Sequence, residues 1–271
     1  MKFLRPAILT KYNPKHSDNR MSHEGDLSFQ RSYFLSRKNR NLNFLLETRF
    51  SWMKEFIASS DLGLEIGSGF GASKHYLPES NLILSDVGDY DWLDVKNCPA
   101  ENIPMLDESL DFLIVNQTLH HIAYPHSFFD EASRLLRPGG KLIMLEPFTS
   151  LAMKCALILM RHEGFDDTLN PLSKSVPMSD PRDPWAANNS VARLLFEGEK
   201  CGTECVPGFV LVHSRFAEFF TFLNSGGVGS KFFYVPLFPR LLRLQWLLDQ
   251  SLVKFFPRIF ALQMQIVLVK K

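Results

Sequence analysis

Residues 62–73 read LGLEIGSGFGAS, and the architecture of the surrounding chain follows from them. A short apolar run ends at Glu65 and leads directly into Gly67, Gly69 and Gly71. An apolar strand followed by a glycine-rich turn delivers a nucleotide to a helix N-terminus, because a side chain there would keep the backbone away from the ligand. The stretch therefore predicts a strand, a nucleotide-binding turn and a helix.

The spacing of the glycines allows three interpretations. Gly67, Gly69 and Ala72 fit the G-x-G-x-x-G/A pattern of dinucleotide-binding proteins, and the three glycines also fit the G-x-G-x-G pattern of methyl-donor enzymes. A plain strand–turn–helix junction is the third interpretation. The next predicted strand ends at Asp86, whose carboxylate can accept both ribose hydroxyls of an adenosine and disfavours a 2′-phosphate. A surface aspartate at a strand end is the alternative for Asp86.

The elements that follow alternate between strands and helices. Strands separated by helices imply parallel pairing with right-handed crossovers, which predicts a Rossmann-like, doubly wound α/β sheet. An amphipathic helix over about 42–57 precedes the first strand, and the apolar strand at 262–269 is expected inside the sheet. The predicted strands are 62–66, 82–85, 111–115, 141–146, 209–213 and 262–269, with helices at 72–77, 126–136, 190–200 and 240–256.

Composition indicates a soluble globular protein. Of the 271 residues, 45% are hydrophobic and 22% charged. The net charge of +1 provides no basic field for nucleic acid, so no nucleic-acid partner is expected. The most apolar run, 151–160, contains Lys154 and is shorter than the ~18–20 residues that span a bilayer. The N-terminus does not have the form of a signal peptide.

The four cysteines are too few and too scattered to predict a disulfide framework. Cys201 and Cys205 form a lone CxxxC pair without a second pair or a His cluster nearby, so no metal site is expected. The other two cysteines are Cys98 and Cys155. This usage indicates a reducing compartment, and the predicted location is cytoplasmic.

Residues 98–147 read CPAENIPMLDESLDFLIVNQTLHHIAYPHSFFDEASRLLRPGGKLIMLEP. Here the chain resembles the class I S-adenosylmethionine-dependent methyltransferases, in particular their small-molecule and sugar O-methyltransferases. The similarity runs from about Leu62 to Pro147. It implies a seven-stranded sheet with an N-terminal helical cap and an insertion after the family's fifth strand.

The resemblance and the hydrophobic pattern together divide the chain into regions. Residues 1–60 are predicted to form an N-terminal arm and helical cap, and 61–271 the methyltransferase domain. Within the domain, an acceptor-binding insertion is expected at about 150–208, because its Pro-, Asp- and Asn-rich loop is too long to be idle. A basic, aromatic helical segment is expected at about 217–260.

The resemblance also implies a donor site. Glu65 would order the glycine loop and, usually through water, the donor's amino group. Asp86 would take the ribose. One departure is Cys98-Pro99, where the family often places an aspartate, so an acceptor for the adenine amino group is missing or comes from elsewhere. The residues assigned to S-adenosylmethionine are Glu65, Gly67, Ser68, Gly69, Gly71, Asp86, Val87, Ala100, Glu101, Asn116, Gln117 and His121.

Two segments supply candidate catalytic residues. His120 follows the strand at 111–115, at the carboxyl edge of the sheet, and a neutral histidine suits a general base for a hydroxyl acceptor. The alternative for His120 is a structural histidine that caps the strand end. RHEGFDD (161–167) and DPWAANNSVARLLF (183–196) resemble a branch of methyltransferases of bacterial surface-glycan pathways. That likeness implies that His162, Glu163 and Asn188 face the acceptor.

The basic, aromatic C-terminal segment has two interpretations. It could rest on an anionic membrane surface, or its apolar face could pack against the sheet or a second subunit. A peripheral membrane contact and a homodimer are therefore both open. Leu241, Leu244, Leu248 and Leu252 lie on one face of its predicted helix.

Taken together, these patterns predict an S-adenosylmethionine-dependent methyltransferase that acts on a hydroxyl of a small molecule. The expected acceptor is a sugar or a glycan or glycolipid precursor, free or lipid-linked. Two rival functions stay open: a methyltransferase acting on nitrogen or carbon of another metabolite, and a non-catalytic binding protein with the same fold.

Overall fold

The computed structural model of the protein describes residues 10–14, 25–161, 163–197, 205–227 and 233–271. The strands within these ranges are β1 (Lys11–Tyr12), β2 (Leu62–Ile66), β3 (Asn81–Ser85), β4 (Leu110–Asn116), β5 (Leu136–Pro147), β6 (Phe165–Asp166), β7 (Phe209–Ala217) and β8 (Gln263–Lys270). The α-helices are α1 (Leu27–Leu35), α2 (Arg40–Ser51), α3 (Ser73–Tyr76), α4 (Pro125–Leu135), α5 (Leu151–Met160), α6 (Val191–Phe196), α7 (Phe220–Leu223), α8 (Pro239–Phe255) and α9 (Pro257–Phe260). Short 3₁₀ turns cover Trp52–Phe56 and Leu119–His121.

Six strands form a mixed sheet in the order β3-β2-β4-β5-β8-β7. The first four are parallel, and β8 runs antiparallel to both of its neighbours. The Rossmann-like prediction is therefore confirmed, as is the position of the apolar strand at 262–269 inside the sheet. β1 and β6 form a separate two-stranded antiparallel sheet.

The described residues do not form the seventh strand of the predicted sheet. Beside β3, where a further edge strand could pair, the chain makes only an isolated bridge between Ser85 and Val95. Turns occupy most of the chain from there to β4. One reason is that Pro99 and Pro104 lie in this segment, and proline cannot donate a hydrogen bond to a neighbouring strand.

The sheet is buried on both faces. Along β4, Leu113 and Val115 face the layer that contains α4, whereas Phe112 and Ile114 face the layer that contains α2, and all four side chains are inaccessible to solvent. A strand buried on both faces needs a continuous apolar run, which is the pattern read from the sequence.

The predicted amphipathic helix before the first strand corresponds to α2 and the 3₁₀ turn that follows it. Leu42, Leu46 and Phe50 point from α2 into the core. Arg49, on the same helix, forms two hydrogen bonds of 2.8 Å with the carboxylate of Glu218, just after β7. The pair joins the N-terminal helix to the distal edge of the sheet.

The leucine face of α8 does not pack against the sheet. Leu241, Leu244 and Leu248 are each about half exposed, and Asp249 is fully buried instead. The reason is that the Asp249 carboxylate accepts hydrogen bonds from the backbone of 219–221 and so caps the start of α7. The prediction that these leucines pack against the sheet is therefore wrong. The homodimer and the membrane contact stay predictions.

Two further findings bear on the cellular setting. No helix in the described parts of the chain is long and apolar enough to cross a membrane. Cys205 is disulfide-bonded, which the cysteine spacing did not predict, whereas Cys98 and Cys155 are free thiols.

Candidate functional site

The glycine loop between β2 and α3 adopts a conformation that requires glycine. Gly67, Gly69 and Gly71 have φ values of 66°, 52° and 71°. A Cβ on Gly67 would lie 2.4 Å from the side chain of Thr118, which closes the loop from the β4 side. The bare backbone is therefore both a conformational and a packing requirement.

Asp86 joins the end of β3 to this loop. One carboxylate oxygen accepts a hydrogen bond from the backbone of Gly69 at 2.9 Å, and the other accepts one from Gly88 at 3.0 Å. Each oxygen of a carboxylate can accept more than one hydrogen bond, so both remain able to accept from ribose hydroxyls. The predicted contact of Asp86 with the ribose stays a prediction.

Glu65 lies beneath the loop in an apolar setting. Burial raises the pKa of its carboxyl to about 8, although hydrogen bonds from Ser73 and Ser68 and the charge of Asp86 also act on it. At neutral pH the group is therefore mostly protonated. A cation bound nearby would favour its ionised form, which fits the predicted link to the donor's amino group.

Asn116, at the end of β4, has a buried side-chain oxygen that finds no hydrogen-bond partner among the described residues. Buried polar atoms are nearly always satisfied, so such an acceptor indicates a missing donor. The ammonium of a methionine-like group would supply one. The residues at this edge of the sheet therefore fit S-adenosylmethionine. The observation behind this statement is the side-chain oxygen of Asn116, which could accept from the ammonium.

Two residues that the sequence analysis missed cover the glycine loop. The indole of Trp92 donates to the Gly69 carbonyl at 2.9 Å, and the Arg31 guanidinium, on α1, donates to the Phe70 carbonyl at 2.7 Å. The guanidinium also lies 4.8 Å from the centre of the Trp92 ring, a cation–π distance. No spacing rule links these positions to the loop, because the contacts exist only after folding.

The remaining predicted donor residues differ in their environments. Val87, which follows Asp86 in the chain, is 53% exposed. Its predicted contact with the adenine stays a prediction. Ala100 is buried, and partial burial raises the pKa of the Glu101 carboxyl. Gln117 instead donates its side-chain amide to the Leu145 carbonyl at 3.1 Å, within the sheet. Its predicted contact with the donor stays a prediction.

His120 is held by a carboxylate that the sequence analysis also missed. His120 Nδ1 lies 2.7 Å from Glu146 Oε2, and both side chains are almost fully buried. The other Glu146 oxygen accepts from the backbone of Thr118 and Leu119 at 2.8 Å each. Glu146 thus positions both the 3₁₀ turn and the imidazole. A lone acid at the end of an otherwise apolar strand was the available signal.

Glu163, from the predicted catalytic segment 161–167, lies close to His120 and His121. One oxygen lies 3.6 Å from His120 Nε2, and the other lies 3.7 Å from His121 Nε2. Asn189, which the sequence analysis did not select, donates to the Glu163 carboxylate at 2.9 Å. His162, the third predicted catalytic residue, lies outside the described residues.

His121 is buried and lies between His120 and the 165–190 loop. Its Nδ1 is 3.3 Å from the Ala186 carbonyl. Burial, together with the neighbouring His120, lowers the pKa of His121 to about 4, so this imidazole is neutral at physiological pH. The structure groups His121 with His120 and Glu163, and its predicted contact with the donor stays a prediction.

The side chain of Asn188 stabilises the loop in which it lies. Its side-chain oxygen accepts from the backbone of Asp166 at 2.9 Å and of Ser190 at 3.0 Å. These bonds hold the loop beside β6, and Asn188 also lines the neighbouring cavity. Its predicted contact with the acceptor stays a prediction.

A cavity of about 290 Å³ opens beside Glu163. It lies between the β1–β6 sheet and the 165–190 loop, and its wall combines carboxylates with one indole. The loop that the sequence analysis expected to serve an acceptor therefore lines a cavity. The residues that matter to its chemistry are Glu163, Asp166, Asp180, Asp183 and Trp185.

Comparison with known proteins agrees with this geometry. Residues 64–144 match the family model described as a methyltransferase domain. An uncharacterized protein of Methanocaldococcus jannaschii is 31% identical over 87 residues, which cover 30% of this chain and 42% of that protein. An uncharacterized 37.1 kDa protein in transposon TN4556 of Streptomyces fradiae is 29% identical over 100 residues, which cover 32% of this chain and 29% of that protein. The matched region thus spans less than half the length of either relative.

Among solved structures, a SAM-dependent methyltransferase from Archaeoglobus fulgidus is similar at a TM-score of 0.46 and 13% identity. The alignment covers 89% of this chain and 99% of that one. Residues 64–144 thus match a methyltransferase domain. The activity of the whole chain and the non-catalytic alternative both stay predictions.

Proposed function

We propose that the chain is an S-adenosylmethionine-dependent methyltransferase that acts on a hydroxyl of a small molecule, namely a sugar or a glycan or glycolipid precursor. The observation that carries the proposal is the series Glu146–His120–Glu163, which connects a buried carboxylate to a histidine and then to the wall of a cavity. Transfer to a hydroxyl needs a proton acceptor, and a histidine held by a carboxylate is suited to that role.

The lining of the cavity supports a polyhydroxylated acceptor. Carboxylate oxygens accept hydrogen bonds from hydroxyl groups, and the indole of Trp185 provides an apolar wall beside them. Some of this charge is already balanced, because Lys11 lies 2.8 Å from Asp166 and Arg182 lies 3.0 Å from Asp180. The two ion pairs lower the net charge of the lining, which supports a neutral sugar as the acceptor.

In the proposed reaction, the chain aligns the acceptor and removes its proton. Glu163 accepts a hydrogen bond from the acceptor hydroxyl and orients its oxygen. His120 Nε2 takes the hydroxyl proton as the oxygen–methyl bond forms, and Glu146 stabilises the resulting imidazolium through Nδ1. When bound at the glycine loop, S-adenosylmethionine supplies an electrophilic methyl carbon on a sulfonium. The glycine loop follows β2 and His120 follows the neighbouring strand β4, which supports alignment of the donor with the base.

The first test combines an acceptor screen with a base variant. Methyl uptake onto nucleotide-sugars and glycolipids is measured by mass spectrometry, and His120→Ala is expected to lower turnover ~10²–10⁴-fold. The affinity for S-adenosylhomocysteine, measured by calorimetry, should stay unchanged, since His120 is not assigned to the donor. His213→Gln, on β7 and away from the site, is the control and should retain full turnover. Near-normal turnover of His120→Ala would remove His120 as the base.

A further inference from the structure

His120, His121 and Glu163 form a cluster that the proposed function uses only in part. One ligand atom from each of His120, His121 and Glu163 lies within 4.8 Å of the other two. The two rings lie with centroids 4.2 Å apart. Both nitrogen-to-oxygen separations, 3.6 Å and 3.7 Å, are longer than the ~2.7–3.2 Å of a good hydrogen bond.

The tautomer of each histidine follows from its other nitrogen. His120 Nδ1 faces the carboxylate of Glu146, and His121 Nδ1 faces the carbonyl of Ala186. Both partners can only accept when Glu146 is ionised, so in the neutral rings each Nδ1 carries the proton. Each Nε2 then presents a lone pair toward the Glu163 carboxylate. A metal ion bound between the two rings would accept both lone pairs.

The two carboxylates of the cluster are shielded from water. The side chains of Glu146 and Glu163 are at most 11% exposed. Because water screens a buried site little, a divalent cation bound between the two imidazoles would be attracted by both carboxylates.

We propose that His120 Nε2, His121 Nε2 and Glu163 bind a first-row transition-metal dication, of which Zn²⁺ is the representative. Two imidazoles and one carboxylate form a donor set that suits zinc and not magnesium or calcium. Ligand bonds of ~2.0–2.1 Å in a tetrahedral site place neighbouring ligand atoms about 3.3–3.4 Å apart. The two nitrogen–oxygen separations, 3.6 Å and 3.7 Å, exceed this value by a few tenths of an ångström, and the three ligand atoms as a set lie within 4.8 Å of one another.

The surroundings match those of metal-binding histidines. A metal-bound imidazole usually donates its other nitrogen–hydrogen bond to a carboxylate or a backbone carbonyl, and here Glu146 and Ala186 occupy those two positions. Three protein ligands leave an open coordination position, on the side of the cavity that Glu163 lines. An ion bound to His120 Nε2 would occupy the nitrogen that takes the proton in the proposed reaction, so Zn²⁺ is expected to lower turnover. That effect rests on the proposed function, whereas binding of the ion does not.

The test uses Zn²⁺ alone with the full chain, freed of metal by a chelator. Calorimetry is expected to show one equivalent of Zn²⁺ per chain, and Co²⁺ should give the visible absorption of a four- or five-coordinate nitrogen and oxygen site. Glu146→Gln, which replaces the carboxylate that faces His120 Nδ1 and accepts from the backbone of Thr118 and Leu119, should weaken Zn²⁺ binding ~10–100-fold. Glu163→Gln, which removes a ligand, should weaken Zn²⁺ more than that.

His213→Gln is the matched control and should bind Zn²⁺ as the wild type does. S-adenosylhomocysteine affinity, measured on each variant, reports separately on folding and on the donor site. Absence of stoichiometric Zn²⁺ uptake by the wild type would overturn the metal site, as would equal Zn²⁺ affinity in Glu163→Gln and His213→Gln. Loss of S-adenosylhomocysteine binding in a wild type that retains Zn²⁺ would count against the proposed function and leave the metal site standing.

Discussion

Glu65 is a carboxyl group that the folded chain surrounds with apolar side chains and the unfolded chain exposes to water. Its pKa is raised to about 8 in the folded protein by burial, against 4.5 for an ordinary glutamate. Between these two values the folded chain keeps a proton that the unfolded chain releases. The free energy of unfolding should therefore fall as the pH rises from about 4.5 to 8 and level off above that.

Glu65→Gln removes this titration because an amide does not ionise. We expect the ligand-free variant to lose much less stability than the wild type between pH 5 and pH 8, as measured by urea unfolding. Glu79→Gln, at an exposed position between α3 and β3, is the control and should follow the wild type. Parallel pH profiles for Glu65→Gln and the wild type would contradict the assignment of a raised pKa.

At the scale of elements, the Arg49–Glu218 pair connects α2 to the end of β7. Both side chains are less than 10% exposed, and both guanidinium–carboxylate bonds measure 2.8 Å. Removing one partner leaves the other charge buried and uncompensated. Arg49→Met should therefore destabilise the protein by about 3–5 kcal/mol in denaturant unfolding.

The pair Lys74–Asp94 provides the control for this prediction. Its ammonium and carboxylate are 2.6 Å apart, but both side chains are nearly half exposed. Lys74→Met should cost no more than ~1 kcal/mol, because water screens the pair. The double variant Arg49→Met/Glu218→Met should recover part of the loss, since no unpaired charge remains. A single-variant cost equal to that of Lys74→Met would show that the buried pair does not join the two elements.

At the scale of the whole molecule, the sheet is completed by its last element. β8 lies between β5 and β7 and pairs with both, so the distal part of the sheet depends on residues at the end of this sequence. A chain that stops after Ala261 would expose two strand edges and lose the side chains of Met264, Ile266 and Leu268 from the core. Exposed edges promote aggregation.

We therefore expect the chain shortened to residues 1–261 to lack a cooperative unfolding transition and to aggregate. Removal of Lys271 alone, which is exposed, is the control and should leave the transition unchanged. Circular dichroism melts and size-exclusion chromatography measure both outcomes. A shortened chain with a sharp melt and a monomeric elution would mean that the parallel half of the sheet folds without β8.

The local patterns of this chain were sufficient for its donor loop and for the order of its elements. The glycine turn after β2, the buried strand β4 and the aspartate after β3 depend on neighbours in sequence, so spacing and hydrophobicity could predict them. The direction of β8 and the exposed leucine face of α8 have no such local signal. The direction of β8 and the exposure of α8 depend on which sheet edges and helix faces are still uncovered after the other elements have packed.

The catalytic and metal-binding interpretations depend on tertiary structure in the same way. Along the chain, His120 is 26 residues from Glu146 and 43 residues from Glu163. In the folded structure the three side chains lie together. Trp92 and Arg31 likewise reach the glycine loop from distant segments. The sequence alone determined that a glycine turn follows the strand at 62–66, because such a turn is set by the backbone conformations of a few consecutive residues. The folded structure decided which charged side chains share one buried space, because only packing brings them within a few ångströms.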